Sequence, residues 1–103
     1  MIVVVFEVEI RNEVGQRYFD LAAELRPELE KIDGFISVER FESLATPGRY
    51  VSLSFWRDEE AVAQWRAHQG HQVAQTLGKR EIFADFRISV GEIVRQYDLK
   101  DRT

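Results

Sequence analysis

The stretch from residue 35 to residue 56, FISVERFESLATPGRYVSLSFW, decides the fold that this sequence predicts. Phe35–Leu44 and Arg49–Trp56 are rich in β-branched and aromatic residues, and the ATPG segment between them favours a turn. Along the second run, two sets of residues alternate and so face opposite sides of a sheet: Val51, Leu53 and Phe55 in one, Ser52, Ser54 and Trp56 in the other. The stretch therefore predicts two adjacent antiparallel strands.

An amphipathic helix is predicted on each side of these strands. Pro27 predicts a kink or restart in the first helix, and Asp33-Gly34 is expected to end it. Asp58 is expected to cap the second helix, which Gly70 interrupts before it resumes over His71–Leu77. In the first helix, apolar residues recur every three or four positions and form one stripe: Val14, Tyr18, Leu21, Leu25, Leu29 and Ile32. The second helix has a shorter apolar side: Ala61, Val62 and Trp65.

The outermost segments complete the order of elements. Ile2–Ile10 and Glu81–Val94 are apolar or alternating runs that predict a first and a last strand. The order strand, helix, strand, strand, helix, strand predicts an α+β, ferredoxin-like βαββαβ fold with a four-stranded antiparallel sheet. Residues 1–94 are expected to form a single domain. Residues 95–103 form a polar tail, in which Tyr97 and Leu99 are candidates to anchor it.

Composition excludes several classes of function. The chain has 103 residues, a net charge of −4 and no cysteine, so disulfides, thiol nucleophiles and thiolate-ligated clusters are excluded. An acidic balance argues against nucleic acid as a partner. No basic segment precedes the opening apolar run, and no run is long enough to span a membrane. The sequence thus predicts a soluble, cytoplasmic protein that binds neither nucleic acid nor membrane.

The predicted fold leaves one face of its sheet without a helix. Two helices cover only one face of a four-stranded sheet. Trp56, Phe83 and alternate residues of Phe35–Leu44 are expected on the uncovered face, where an apolar patch would mark an interface. We therefore expect a homodimer that pairs through the open sheet face.

Several residues are candidates for chemistry, each with a structural alternative. His68 and His71 lie three apart and could supply a catalytic base or metal ligands, or could form a polar helix end. Trp56 and Trp65 could direct an indole N–H at a ligand or could pack in the core. No further metal-ligating residues accompany the two histidines, so no metal site is predicted.

Polar residues on the strands give weaker signals. Asp85 and Arg87 lie two apart on the open face, as an ion pair or as the lining of a cavity. Ser52 and Ser54 have no adjacent base, which argues against a hydrolytic nucleophile. The sequence contains neither a dinucleotide-binding nor a phosphate-binding glycine motif. An enzyme built from these residues would need no cofactor or one with few ligands.

Three segments give the chain a resemblance to a known family: Gly34-Phe35, residues 54–61 (SFWRDEEA) and Trp65-Arg66-x-His68-x-x-His71. With these, the sequence resembles the antibiotic biosynthesis monooxygenase domain family over nearly its whole length. The resemblance implies a homodimeric α+β barrel with a pocket between sheet and helices. Several members of the family oxygenate quinols or anthrone-like polyketides with molecular oxygen, without metal or flavin. Other members bind and open haem, and some have no assigned activity.

The resemblance carries over to individual positions only in part. Trp56 matches a pocket Trp of the anthrone-oxidising members, whereas Ser52 and Val62 replace their Asn and Tyr. His71 matches a His that is frequent in the quinol-oxidising branch. Among haem-degrading members, the helix Trp corresponds to Trp65. Their Asn and His are replaced by Phe6 and Gln75.

These observations lead to one hypothesis and one alternative. The hypothesis is a cofactor-independent monooxygenase for a small aromatic, quinol-like or polyketide-like substrate, with His71 as the base and Trp56 and Arg87 as donors to the substrate anion. The alternative is a non-catalytic, ligand-binding or accessory dimer, with haem binding or degradation as a weaker third. The residues expected to bind substrate are Trp65, Ser52, Phe83, Asp85 and His68.

Overall fold

The computed structural model describes residues 1–10, 15–76 and 83–102, and among these it leaves the side chains of residues 15, 69–76, 83–84 and 101–102 undescribed. It contains a four-stranded sheet, two helices and a short 3₁₀ helix at Leu99–Arg102. The strands and helices are β1 (Ile2–Ile10), α1 (Gly15–Glu30), β2 (Phe35–Glu42), β3 (Arg49–Trp56), α2 (Glu59–Thr76) and β4 (Phe83–Glu92).

The four strands form one antiparallel sheet in the order β2-β3-β1-β4. β1 and β3 occupy the centre, and β2 and β4 form the edges. The strands follow the predicted runs closely, although β2 ends at Glu42 and β4 ends at Glu92. The first two residues of the predicted last strand, Glu81 and Ile82, lie outside the described residues. The α+β, ferredoxin-like βαββαβ arrangement is confirmed.

Helix α1 packs one stripe on the sheet, as its periodicity predicts. The buried residues of this stripe are Tyr18, Leu21, Leu25 and Leu29. The helix continues without a break through Pro27, so the predicted restart is wrong. The chain turns at Gly34, whose φ of +98° is the left-handed conformation expected of a glycine after a helix. Val14 lies outside the described residues.

Helix α2 begins at the predicted cap. The Oδ1 atom of Asp58 accepts a hydrogen bond from the Ala61 backbone N–H at 3.0 Å. This bond, with help from Arg57, lowers the pKa of the Asp58 carboxyl. The helix then runs to Thr76 without a break at Gly70, so the predicted interruption is wrong. A single glycine inside a helix costs only about 1 kcal/mol, which the rest of a long helix tolerates.

The strand register shows which rows of side chains face the helices. Ile2 pairs with Trp56, Val4 with Ser54 and Phe6 with Ser52, and the members of each pair share a face. Trp56 is only 1% exposed and packs with residues of α1 and α2. The expectation that it lies on the uncovered face is therefore wrong. Alternation separates two rows, but it does not tell which row the helices cover.

The uncovered face of the sheet carries the more apolar row of β3. The apolar side chains on this open face are half-buried or exposed in the single chain: Val3, Val5, Phe41, Val51, Leu53 and Phe55. Tyr97 and Leu99 in the tail are mostly exposed, so they do not anchor it on this chain as expected. Among the described helices, none is long and apolar enough to cross a membrane.

Candidate functional site

A cavity of about 420 Å³ lies between α1 and the helix-covered face of the sheet. α1, β1, β2 and β3 line it, and α2 contributes Trp65. Most of the wall is aromatic or aliphatic, which is typical of sites for small organic ligands. A smaller cavity of about 70 Å³, which reaches towards β4, shares five lining residues with the larger one: Phe6, Ser52, Ser54, Trp56 and Trp65.

Trp56 forms a fixed part of the cavity wall. Its indole N–H donates to the Oγ of Ser54 at 2.9 Å, and both side chains are buried. The ring of Phe35 meets the indole edge-on, with the centroids 5.3 Å apart. The indole donor is thus bonded within the protein and is not the donor to a ligand that the sequence suggests. Trp56 shapes the cavity through its ring.

Ser52 and Trp65 also lie in the wall, where the sequence hypothesis places substrate. Ser52 lines both cavities and is paired across the strands with Phe6 on one side and Arg40 on the other. Trp65 is half-buried, and its ring lies 5.6 Å from that of His68. The structure therefore brings Ser52, Trp56 and Trp65 together around one space.

His68 lies away from this space. Its Nε2 atom is 3.0 Å from Oε2 of Glu28, so the imidazole links α2 to α1. His68 lines neither of the two cavities described here. His71 belongs to α2 and Phe83 begins β4 opposite Ile10, but the side chains of both lie outside the described part.

Arg87 and Asp85 lie on the opposite side of the sheet from the cavity. The Nε of Arg87 donates to Oε2 of Glu7 at 2.7 Å, and Arg49 lies 3.5 Å from the other carboxylate oxygen of Glu7. The bond from Arg87 is the largest cause of the lowered pKa of Glu7, and burial acts against it. Register puts Asp85 opposite Glu9 on this face.

This placement corrects the expected convergence of Arg87 with Trp56. Residues at odd and even positions of β1 face opposite sides of the sheet, and Arg87 is paired with Glu7 whereas Trp56 is paired with Ile2. Arg87 therefore cannot donate to a ligand in this cavity of the same chain. Its ion pair is with Glu7 and not with Asp85.

Two arginines that sequence reasoning missed also line the cavity. The Arg40 guanidinium lies 5.2 Å from the Tyr18 ring centroid and 5.8 Å from that of Phe19. Arg26 also lines the cavity, and it pairs with Glu30 at 3.0 Å. The only signal for Arg40 in the sequence is its position two residues after Val38, on the row that the register turns towards α1.

The described residues contain no group of three or more histidine, cysteine, aspartate or glutamate side chains placed to hold a metal ion. None of the residues that line the cavity is a histidine. The arrangement can enclose an apolar ligand of moderate size and can offer it a cation and a hydroxyl group.

Comparisons with known proteins give the class. Residues 1–77 match the family model described as Antibiotic biosynthesis monooxygenase. The chain belongs to this family, as the resemblance of its sequence indicates. A curated relative, the jasmonate monooxygenase ABM of Pyricularia oryzae, is 40% identical over 103 residues, which cover 97% of this chain. The chain spans about half of that relative, since the match covers 48% of it.

Solved structures share the fold at low sequence identity. Rv0793 from Mycobacterium tuberculosis superposes with a TM-score of 0.77 at 14% identity, covering 94% of this chain and 98% of that one. A MhuD mutant with two manganese protoporphyrin IX molecules bound per active site gives a TM-score of 0.73 at 15% identity, covering 95% and 99%. These likenesses support the fold.

Proposed function

We propose that this protein is a cofactor-independent monooxygenase that oxidises a small, electron-rich aromatic substrate with molecular oxygen in the cavity between α1 and the sheet. The observation that carries the proposal is the cavity itself, of about 420 Å³ and walled largely by aromatic and aliphatic side chains. Membership of the monooxygenase family supports it, and so does a 40% identical relative that is named a monooxygenase.

The chemistry balances without a reductant for a hydroquinone or an anthrone. Loss of a proton makes such a substrate electron-rich enough to reduce oxygen. One oxygen atom then forms a bond to a ring carbon, and the other is released as water. The substrate supplies all four electrons, so hydroquinone plus oxygen gives a hydroxyquinone plus water. The protein has to bind the substrate, accept its proton and exclude bulk water.

His71 is the proposed base, and the cavity wall orients the substrate. The imidazole of a histidine titrates near neutral pH, which suits removal of a phenolic proton. Trp56, held by Ser54, and Trp65 present ring surfaces to the substrate. Ser52 offers a hydroxyl group where the two cavities meet.

The same proposal includes a homodimer that pairs through the open sheet face. The more apolar row of β3, with Leu53 at its centre, faces away from both helices. Leu53 lies between Val5 of β1 and Glu39 of β2 in the register, so a second sheet would cover the middle of the patch. Identical patches pair naturally about a twofold axis.

A ligand-binding role without catalysis is the second candidate. The described wall of the cavity contains no histidine, and its indole donor at Trp56 is already bonded within the protein. A cavity of this kind can bind a ligand without changing it. Turnover therefore has to be measured separately from binding.

The test is oxygen uptake by metal-free protein with a panel of hydroquinones and anthrones. The proposal predicts uptake well above autoxidation, with one oxygen consumed per product formed. It also predicts a fall of about 100-fold in His71→Ala, the scale of a lost general base. Gln64→Ala, an exposed change on the same helix, is the control. Uptake at the autoxidation rate across the panel contradicts the proposal and favours the ligand-binding role.

A further inference from the structure

Arg40 places a cation at the cavity and holds it against two aromatic rings. The guanidinium carbon lies 5.2 Å from the ring centroid of Tyr18 and 5.8 Å from that of Phe19, both on α1. At such distances, the negatively polarised face of an aromatic ring attracts a guanidinium. Arg40 is otherwise exposed, so the fork of N–H donors on its guanidinium is accessible to a ligand.

The residues that the structure describes give Arg40 no carboxylate partner. Glu42, the acidic residue next to Arg40 on the same row of β2, bonds instead to Tyr50, whose pKa is raised first by burial and then by this carboxylate. Four other arginines in the described part of the chain each pair with a carboxylate: Arg26, Arg49, Arg57 and Arg87. Among the arginines that line the large cavity, Arg40 is thus the one whose charge is left for a ligand.

We propose that Arg40 binds the carboxylate of the substrate, so that the substrate is a small aromatic carboxylic acid. This inference rests on the proposed function for the location of the substrate, and it adds the chemical class. The carboxylate would lie at the Arg40 end of the cavity, with the hydroxyl of Ser52 across the strand pair as a second donor. The apolar body of the acid would then occupy the space walled by Phe6, Trp56 and Trp65.

The physical argument is that a planar guanidinium matches a carboxylate with two parallel hydrogen bonds. Such charge-assisted bonds are stronger than bonds between neutral groups. A neutral amide of the same shape keeps the apolar contacts but loses the charge. The acid should therefore bind about 10-fold to 100-fold more tightly than the amide.

The test measures binding of 2-naphthylacetic acid and of its primary amide to the full chain by the fluorescence of the ligand. Wild-type protein should prefer the acid by at least about tenfold. Arg40→Met should remove that preference while retaining binding of the amide. Arg40→Lys keeps the charge and should retain part of the preference. Arg17→Met, an exposed change of the same kind on α1, should leave the preference intact.

Three results would overturn the proposal. They are equal binding of acid and amide by wild-type protein, a preference that survives in Arg40→Met, and failure of both compounds to bind. If Arg40→Met does not fold, the ratio of acid affinity to amide affinity, measured in wild type and in Arg40→Lys, still tests the proposal. Oxygen uptake is scored separately. A preference for the acid without oxygen uptake supports the carboxylate site and contradicts the monooxygenase proposal. Oxygen uptake with equal binding of acid and amide supports the monooxygenase and contradicts the carboxylate site.

Discussion

The indole N–H of Trp56 donates to the hydroxyl of Ser54 two residues earlier on the same strand, at 2.9 Å and between two buried side chains. This bond explains how β3 can turn two serines and a tryptophan towards the helices. The indole N–H, which belongs to the largest side chain on that row, has its acceptor within the strand. The cavity lies over the two small serine side chains. The row is thus both a wall of the cavity and, through Trp56, a part of the packed core.

Ser54→Ala should destabilise the protein because it leaves the buried indole N–H without an acceptor. We expect a loss of about 1–3 kcal/mol in the free energy of unfolding, measured by urea denaturation. Ser52→Ala, on the same row but half-buried, is the matched control and should cost less. Equal losses in the two variants would contradict the assigned role of the bond.

Gly34→Ala should destabilise the protein more than Gly48→Ala does. Both glycines have positive φ, +98° and +85°, so alanine is strained at either position. At Gly34, a Cβ would also lie 2.8 Å from the Cβ of Ala61, whereas nothing lies within 4 Å of one at Gly48. The difference between the two free energies of unfolding isolates the contact with α2. Equal effects would show that the contact can relax without cost.

Asp58→Ala should weaken the start of α2 in a pH-dependent way. The pKa of Asp58 is lowered in the folded state, first by the Ala61 N–H and then by Arg57, so the ionised form stabilises the fold. This stabilisation is fully present above the unfolded pKa of about 3.9, and it is lost as the pH falls through the lower folded value. The gap in melting temperature between wild type and variant should therefore narrow in acid. A gap that stays constant would contradict this.

Leu53→Arg should separate the proposed dimer. The substitution puts a charge at the centre of the open sheet face, opposite Val5 in the register. Light scattering should give twice the 12.1 kDa chain mass for wild type and the chain mass for the variant. Leu44→Arg, at a fully exposed turn position, is the control and should remain a dimer. A wild-type protein that is monomeric at all concentrations would contradict the proposal.

The fold could be predicted from the sequence because its local patterns agree. The spacing of Tyr18, Leu21, Leu25 and Leu29 predicts a stripe that is buried in the structure. Asp58 is the acceptor at a helix start, and Gly34 has the positive φ that its place after a helix suggests. Gly70 misleads, because it marks a local cost that a long, packed helix absorbs. Pro27 does not restart α1, which continues to Glu30.

Less of the candidate site than of the fold could be predicted from the sequence. Alternation along β3 identifies the row of Ser52 and Trp56, but only the cross-strand register shows that this row faces the helices. Arg87 shares the sheet with Trp56 yet lies on its other face. Arg40 lies against the rings of Tyr18 and Phe19 on a different element, and no spacing in the sequence encodes these contacts.

The most direct test of the central claim is oxygen uptake by a variant in which the cavity is filled. Ala22 of α1 lines the cavity, whereas Ala67 lies exposed on α2, so Ala22→Trp and Ala67→Trp are a matched pair. With a hydroquinone that wild-type protein oxidises, the proposal predicts that Ala22→Trp reduces uptake to the autoxidation rate. Ala67→Trp should retain wild-type uptake, and circular dichroism should show both variants folded. Full activity in a folded Ala22→Trp protein would contradict the claim that oxidation takes place in this cavity.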